Sequence, residues 1–210
     1  MSPTSNQISI ERYRRRAAGY DASAERTMAL RRRTIALLAL QPGEVVLDVG
    51  AGTGLSYPLL LEAVGPQGRV LGVEQSPDMF ARAEARVAAG GWPNLWHARA
   101  AAEQVVLPVA PDALLFNYVH DITRTPAALA NLLRQARPGA RIAVCGMKFF
   151  PWWTGPLNLV AWLKNRPYNA RAAELWRPWS LLEAHCSEFR WEPVHLGMGY
   201  LAQGRLKELP

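Results

Sequence analysis

Cysteine is scarce in this chain: Cys145 and Cys186 are the only two among 210 residues. A pair so far apart makes neither a disulfide framework nor a ligand-spaced cluster, which excludes a small secreted scaffold and a thiolate zinc site. Buried, unpaired thiols in a reducing cytoplasm are the expectation. Long apolar runs are missing too, since no stretch reaches the ~18 residues a membrane-spanning helix needs. The first twenty residues carry Arg12, Arg14, Arg15 and Arg16 without a continuous apolar core, which argues against a secretory signal. No histidine–carboxylate spacing suggests a metal site, and no Gly-x-Ser-x-Gly or Cys–His pair suggests a hydrolase. Negative charge is in deficit, leaving a formal net charge of +7. Arginines crowd residues 12–16, 26–33 and 164–177. Such runs are either solvated helix faces or an attraction to something anionic: a lipid surface, a nucleic acid or an acidic substrate.

What is present is a regular alternation of strand and helix patterns in a length suited to one domain. Residues 22–40 read as a helix, capped by Asp21 or Ser23, with Leu30, Thr34, Leu37 and Leu38 as its apolar stripe. Strands follow at Val45–Val49, "RVLGVE", "NLWHAR", "DALLFNY" and "RPGARIAVCGM", with helices around Tyr57–Val64, Pro77–Ala89 and Pro126–Ala136 between them. This order calls for a parallel sheet covered by helices on both faces. Past Met147 the style changes. Six of the eight tryptophans fall between residues 152 and 191, in a proline-broken apolar segment. Then "LWRPWSLLEAHC" reads as a helix, and "FRWEPVHL" and "GYLAQGR" as two closing strands. Residues 1–40 are expected to form a helical lid, 41–147 the ligand-binding core, 148–180 an aromatic insert and 181–210 the closing elements.

"VLDVGAGTGL", residues 46–55, raises the functional question. Ligands of an open parallel sheet settle at the carboxyl ends of its strands, where glycines admit positive φ and close approach of the backbone. A dinucleotide fingerprint is G-x-G-x-x-G and grips a pyrophosphate. Here Gly50, Gly52 and Gly54 are spaced G-x-G-x-G, and Asp48 precedes them. A carboxylate there repels a pyrophosphate and attracts an amine or sulfonium. Glu74, at the end of the second strand and 20 residues beyond Gly54, can accept both hydroxyls of a ribose.

"VLDVGAGTG" followed by "VLGVEQSPDM" resembles the first two motifs of the class I S-adenosylmethionine (SAM)-dependent methyltransferases, "FNYVHDI" their fourth-strand motif and "LLRQARPGARIAV" the segment entering strand five. The likeness covers about residues 20–147 and is nearest to the ubiquinone/menaquinone-type and phospholipid N-methyltransferase-like branches. It implies a Rossmann-like α/β fold: a seven-stranded, mostly parallel sheet with helices on both faces and the last strand antiparallel. It also implies that Asp48, Gly50 and Gly52 line the methionine portion of SAM, with Ala51, Gly54 and Asn117 also in the cofactor site. Glu74 would hold the ribose, and Gln75, Met79, Ala101 and Ala102 would lie by the adenine. Ala101 stands where the family often has an acid, leaving the Ala102 backbone N–H to face the ring.

Methyl transfer from a sulfonium needs a nucleophile held in line and sometimes a base. His120 titrates near neutrality and is the candidate base, with Asp121 beside it and Tyr20 in the N-terminal lid. The alternative is that His120 hydrogen-bonds a loop carbonyl and Asp121 caps the next helix. Phe149, Trp152, Trp153, Trp162 and Tyr168 are candidates to enclose an apolar, aromatic or lipid-like acceptor, to dip into a membrane interface, or simply to cover the sheet. The expected partners are thus a small-molecule or lipid acceptor and, by peripheral contact, the inner face of a membrane. Nucleic-acid methylation is the competing enzyme reading, and "NYVHD" lacks the Asn/Asp-Pro-Pro-aromatic pattern of many base aminomethylases. A SAM-binding partner protein without catalysis is the third. The sequence assigns no oligomeric state.

Overall fold

The computed structural model describes residues 27–150, 154–165 and 175–207. Tyr20, Trp152, Trp153 and Tyr168 therefore lie outside the described residues, as do the proposed caps Asp21 and Ser23. Seven strands form one sheet: β1 (Val45–Val49), β2 (Arg69–Glu74), β3 (Leu95–Arg99), β4 (Ala113–Asn117), β5 (Arg141–Met147), β6 (Cys186–Val194) and β7 (Gly199–Leu206). Their spatial order is β3-β2-β1-β4-β5-β7-β6. The first five are parallel, while β7 runs antiparallel to both β5 and β6. Strand order reverses between β1 and β4, so the carboxyl ends of these two strands open the crevice where such sheets bind ligands.

Period-two alternation sends successive side chains of each strand to opposite faces. Val46, Val70, Ala113, Leu115 and Ala143 pack with Ile35 and Leu38 of α1 (Met28–Leu37 and its cap), with Tyr57, Leu60 and Val64 of α2 (Tyr57–Val64), and with Ala83 of α3 (Pro77–Gly90). Leu47, Val49, Leu114, Phe116, Ile142 and Val144 face the other way. Two short helices follow β4: α4 (His120–Thr123), which turns the chain across the sheet end, and α5 (Pro126–Gln135), whose Leu129, Leu132 and Leu133 cover that second face.

Three local departures from the sequence pattern have physical reasons. The buried positions of α1 are Leu30, Arg31, Thr34 and Ile35, with Leu38 just beyond, so the stripe includes an arginine and Ile35 rather than Leu37. The helix expected over residues 175–186 shortens to α7 (Ser180–Ala184). Pro178 lacks an N–H and keeps its predecessor out of the helical region, so the helix begins only after it. The closing hairpin then starts at Cys186, three residues before the expected Phe189. As an edge strand, β6 carries Glu188, Arg190, Glu192 and Pro193 along an exposed, irregularly paired backbone, a composition that discourages edge-to-edge pairing.

Candidate active site

Behind β1 the chain turns through three left-handed glycines, Gly50 (φ +63°), Gly52 (φ +60°) and Gly54 (φ +77°). A Cβ on Gly50 would meet Val119 Cγ1 at 2.5 Å and one on Gly54 would meet the Tyr57 ring at 2.7 Å, but one on Gly52 would meet nothing within 4 Å. Gly50 and Gly54 are thus shaped by packing, and the open side of the turn lies at Gly52. Among the bonds that hold the turn, Ala51 N–H donates to Val73 O at 3.0 Å, Gly54 N–H to Ala51 O at 3.0 Å, and Arg86 Nε to Thr53 O at 2.9 Å.

Glu74 ends β2 beside this turn. Its Oε2 accepts from Gly52 N–H at 2.9 Å and its Oε1 from Ser76 N–H at 2.7 Å. Burial raises its pKa, and these backbone donors work against that rise. Each oxygen keeps a second lone pair for further hydroxyl donors. Asp48 is only 1% exposed. It is bonded to Ser56, whose hydroxyl accepts from the buried Arg31 guanidinium at 2.6 Å, and its Oδ2 has no partner. Burial pushes its pKa up to about 7 despite the nearby Arg31 charge.

The fourth strand contributes from the far side of the switch point. Asn117 is buried, accepts the Cys145 thiol at Oδ1 and leaves Nδ2 without a partner. Tyr118 then takes φ +60°, a conformation rare outside glycine and concentrated at functional sites. This turn lays Val119 on Gly50 and carries His120 under Gly146, whose missing Cβ leaves room for the ring: a Cβ there would lie 2.3 Å from His120 Cε1. His120 Nε2 accepts from Met147 N–H at 2.9 Å. The neutral ring therefore carries its proton on Nδ1, which is buried and without a partner. Burial drops the His120 pKa to about 4. A base acting at Nε2 would first have to give up the Met147 amide. Asp121 sits in the first turn of α4, and its carbonyl accepts from Thr125 Oγ1.

Gln75 and the buried Met79 stand at the start of α3, where Ser76 caps the helix. Ala101 begins a turn after β3, its carbonyl accepting from Gln104 and Val105, while the Ala102 carbonyl is held by Asn131 Nδ2. Past β5, Phe149 is 7% exposed, packs with Leu175 and meets the edge of the Trp176 ring. Phe149 therefore serves the cover of this edge in the structure. The next helix, α6 (Pro156–Asn165), is different: Leu157, Leu159, Trp162 and Leu163 are all exposed.

Residues 12–145 match the family described as protein-L-isoaspartate(D-aspartate) O-methyltransferase (PCMT). The chain belongs to this family. That family is one of SAM-dependent methyltransferases. The chain is 34% identical over 138 residues to a protein-L-isoaspartate O-methyltransferase of Aeropyrum pernix, covering 64% of this chain but only 48% of that one, so it spans about half that relative's length. A demethylmenaquinone methyltransferase of Symbiobacterium thermophilum is 28% identical over 181 residues, covering 73% of this chain and 71% of that one. The fold is shared with a SAM-dependent methyltransferase from Aquifex aeolicus at TM-score 0.63 and 22% identity, over 84% of this chain and 89% of that one.

The residues present fit SAM. Glu74 has lone pairs for a ribose, Gly52 opens toward a close-lying ligand, and Asp48 Oδ2, Asn117 Nδ2 and His120 Nδ1 are buried polar atoms awaiting partners. Two elements of this methyltransferase site escaped sequence reasoning. Arg31 was one of three consecutive arginines, and only its place with Thr34, Ile35 and Leu38 at helical spacing marks it as the inward one. Gly146 looked like an ordinary strand residue until His120 was placed against it. Among the described residues no cluster of side chains could hold a metal ion, and no helix is long and apolar enough to cross a membrane.

Proposed function

We propose that this methyltransferase acts on a small apolar, aromatic or lipid-like acceptor that enters beside α6. The single observation carrying this reading is the exposed apolar surface of Leu157, Leu159, Trp162 and Leu163 on the segment that follows β5. The family match ends at residue 145, so it covers the cofactor core and stops before this segment. The demethylmenaquinone relative, which extends over more of the chain, is named for an apolar acceptor.

Bound SAM supplies an electrophilic methyl on a sulfonium. Glu74 holds the ribose hydroxyls, the backbone around Gly52 lies along the ligand, and Gln75 and Met79 flank the adenine. Asp48 presents Oδ2 to the methionine ammonium. His120, neutral and protonated on Nδ1, orients a polar atom of the acceptor as a hydrogen-bond donor, and Asn117 Nδ2 does the same deeper in the crevice. The chain's contribution is then alignment and exclusion of water rather than proton abstraction.

A second reading is favoured by the family match itself: methylation of an isoaspartyl carboxylate in a protein. Radiolabelled methyl transfer separates the two when quinol-like phenols, phospholipids and an isoaspartyl peptide are offered in parallel. Transfer to the apolar acceptors, weakened by Leu159→Glu, is the expected result. Transfer to the peptide alone, indifferent to Leu159→Glu, would overturn the proposal.

A further inference from the structure

Lys148 is a cation withdrawn from water without a counter-ion. It stands one residue past β5 at 6% exposure, and its backbone N–H donates to Met198 O, which continues the β5–β7 pairing. Strand side chains alternate between faces, so Lys148 shares the face of Gly146, against which the rings of His120 and Tyr200 lie. Its Nζ donates to the Phe149 carbonyl at 2.7 Å and sits 5.8 Å from the centre of the Trp191 ring. Among the described residues no carboxylate pairs with it. An ammonium has three N–H donors, and one carbonyl with one aromatic face leaves it short of acceptors. Burial lowers its pKa, as expected where no opposite charge offsets desolvation.

The surroundings do not call for a charge. Trp191 packs on the buried Trp179 at a centroid distance of 4.4 Å, Trp179 on Tyr200 at 4.7 Å, and Tyr200 lies 6.4 Å from His120. A methionine would cover this aromatic run without the desolvation cost of an ammonium. Two more donors along the run, Trp179 Nε1 and His120 Nδ1, are buried without partners. The acceptor helix is tied in close by, since Asn158 Nδ2 of α6 donates to the Phe150 carbonyl at 3.2 Å, two residues beyond Lys148. Resting on the reading that an apolar acceptor enters beside α6, we propose that Lys148 binds an anionic group, a carboxylate or a phosphate, carried by that acceptor. The acceptor is then an amphiphile, with hydrocarbon against α6 and a negative end at Lys148, where a charge-assisted hydrogen bond replaces the missing counter-ion.

Calorimetric titration with octyl phosphate, octanoate and octan-1-ol, each as monomers and with S-adenosylhomocysteine present, tests this because the three share one apolar chain. Wild-type protein should bind one of the anions about 10- to 100-fold more tightly than the alcohol, the range of a charge-assisted hydrogen bond. Preference for the phosphate identifies a phosphate-bearing acceptor such as a lipid, and preference for octanoate identifies an acid. Lys148→Met should abolish the preference while leaving the alcohol within about twofold, and Lys148→Arg should retain part of it. Where the methionine variant does not fold, Lys148→Gln, which keeps a donor for the Phe149 carbonyl, serves in its place. An anion preference that survives loss of the ammonium, or equal weakening of all three ligands, would overturn the proposal. Binding of the alcohol without any preference for the anions would overturn it alone. Absence of binding by all three would overturn it together with the apolar-acceptor reading.

Discussion

At the ends of β1, β2 and β4, polar side chains are buried almost completely: Asp48 at 1% exposure, Asn117 at 6% and Glu74 at 9%. On α6 the pattern inverts, with Leu157 at 50%, Leu159 at 59% and Leu163 at 54% exposure. Polar groups inside and apolar groups outside both cost free energy in the isolated chain. Their opposite signs describe the two ligands that would relieve them. The cofactor side awaits a compact polar molecule with a ribose and an amino acid end. The acceptor side awaits something that removes hydrocarbon from water. A site can therefore be recognised by what it leaves unsatisfied as well as by what it contains.

The sharpest way to break this contrast is Glu74→Ala. It removes the ribose acceptors and also strips Gly52 and Ser76 N–H groups of their partner. A loss of roughly 3–4 kcal/mol, two to three orders of magnitude in SAM affinity, is expected by calorimetry. Unchanged affinity would remove Glu74 from the site.

Asp48→Asn should divide stability from binding. The folded pKa of Asp48, about 7, lies above an unfolded value near 3.9. The folded state thus holds the proton more tightly, and that stability is present at low pH and lost as pH rises through 7. Asparagine removes the loss. The ligand-free variant should gain on the order of 3 kcal/mol over wild type at pH 8, and less at pH 5, in urea titrations. Its SAM affinity should fall. A variant less stable than wild type at pH 8 would count against this account.

For His120 the sign reverses. Its folded pKa of about 4 lies below the ordinary histidine value, so its contribution is present above pH 6.5 and is lost as pH falls toward 4. Between pH 7 and pH 5 the His120 part is a drop of about 2 kcal/mol, opposite in sign to the Asp48 part over the same interval. It is therefore read as the stability difference between wild type and His120→Gln, which should move in favour of the variant as pH falls. In the activity profile, a rate that rises with an apparent pKa near 6–7 and loses that dependence in His120→Gln would restore the base role anticipated from sequence.

The smallest effect belongs to the exposed helix. Leu159→Ser should leave thermal stability within about 0.5 kcal/mol of wild type, as expected for an exposed site. Cofactor affinity should be unaltered, while KM for an apolar acceptor rises several-fold. A large loss of stability would show that Leu159 is packed against something rather than presented to a ligand.

Local pattern determined much of this protein. Val45–Val49 and its β-branched counterparts declare strands, the glycine spacing declares the turn, and Glu74 follows at the end of the second strand. Each signal is carried by neighbours in the chain, because strand alternation and positive φ are local properties. The parallel order of β1–β5 and the antiparallel hairpin followed from the same signals and the motif resemblance. Tertiary structure alone decided the state of the polar groups. Arg31 and Ser56 are 25 residues apart, and His120 and Met147 are 27 apart. Which arginine of three turns inward, which histidine nitrogen keeps its proton and which acid is pushed toward pH 7 depend on burial and on partners contributed by distant segments. Those interactions exist only once the sheet has closed around them, since desolvation and hydrogen bonding across the fold are not encoded in any single stretch of residues.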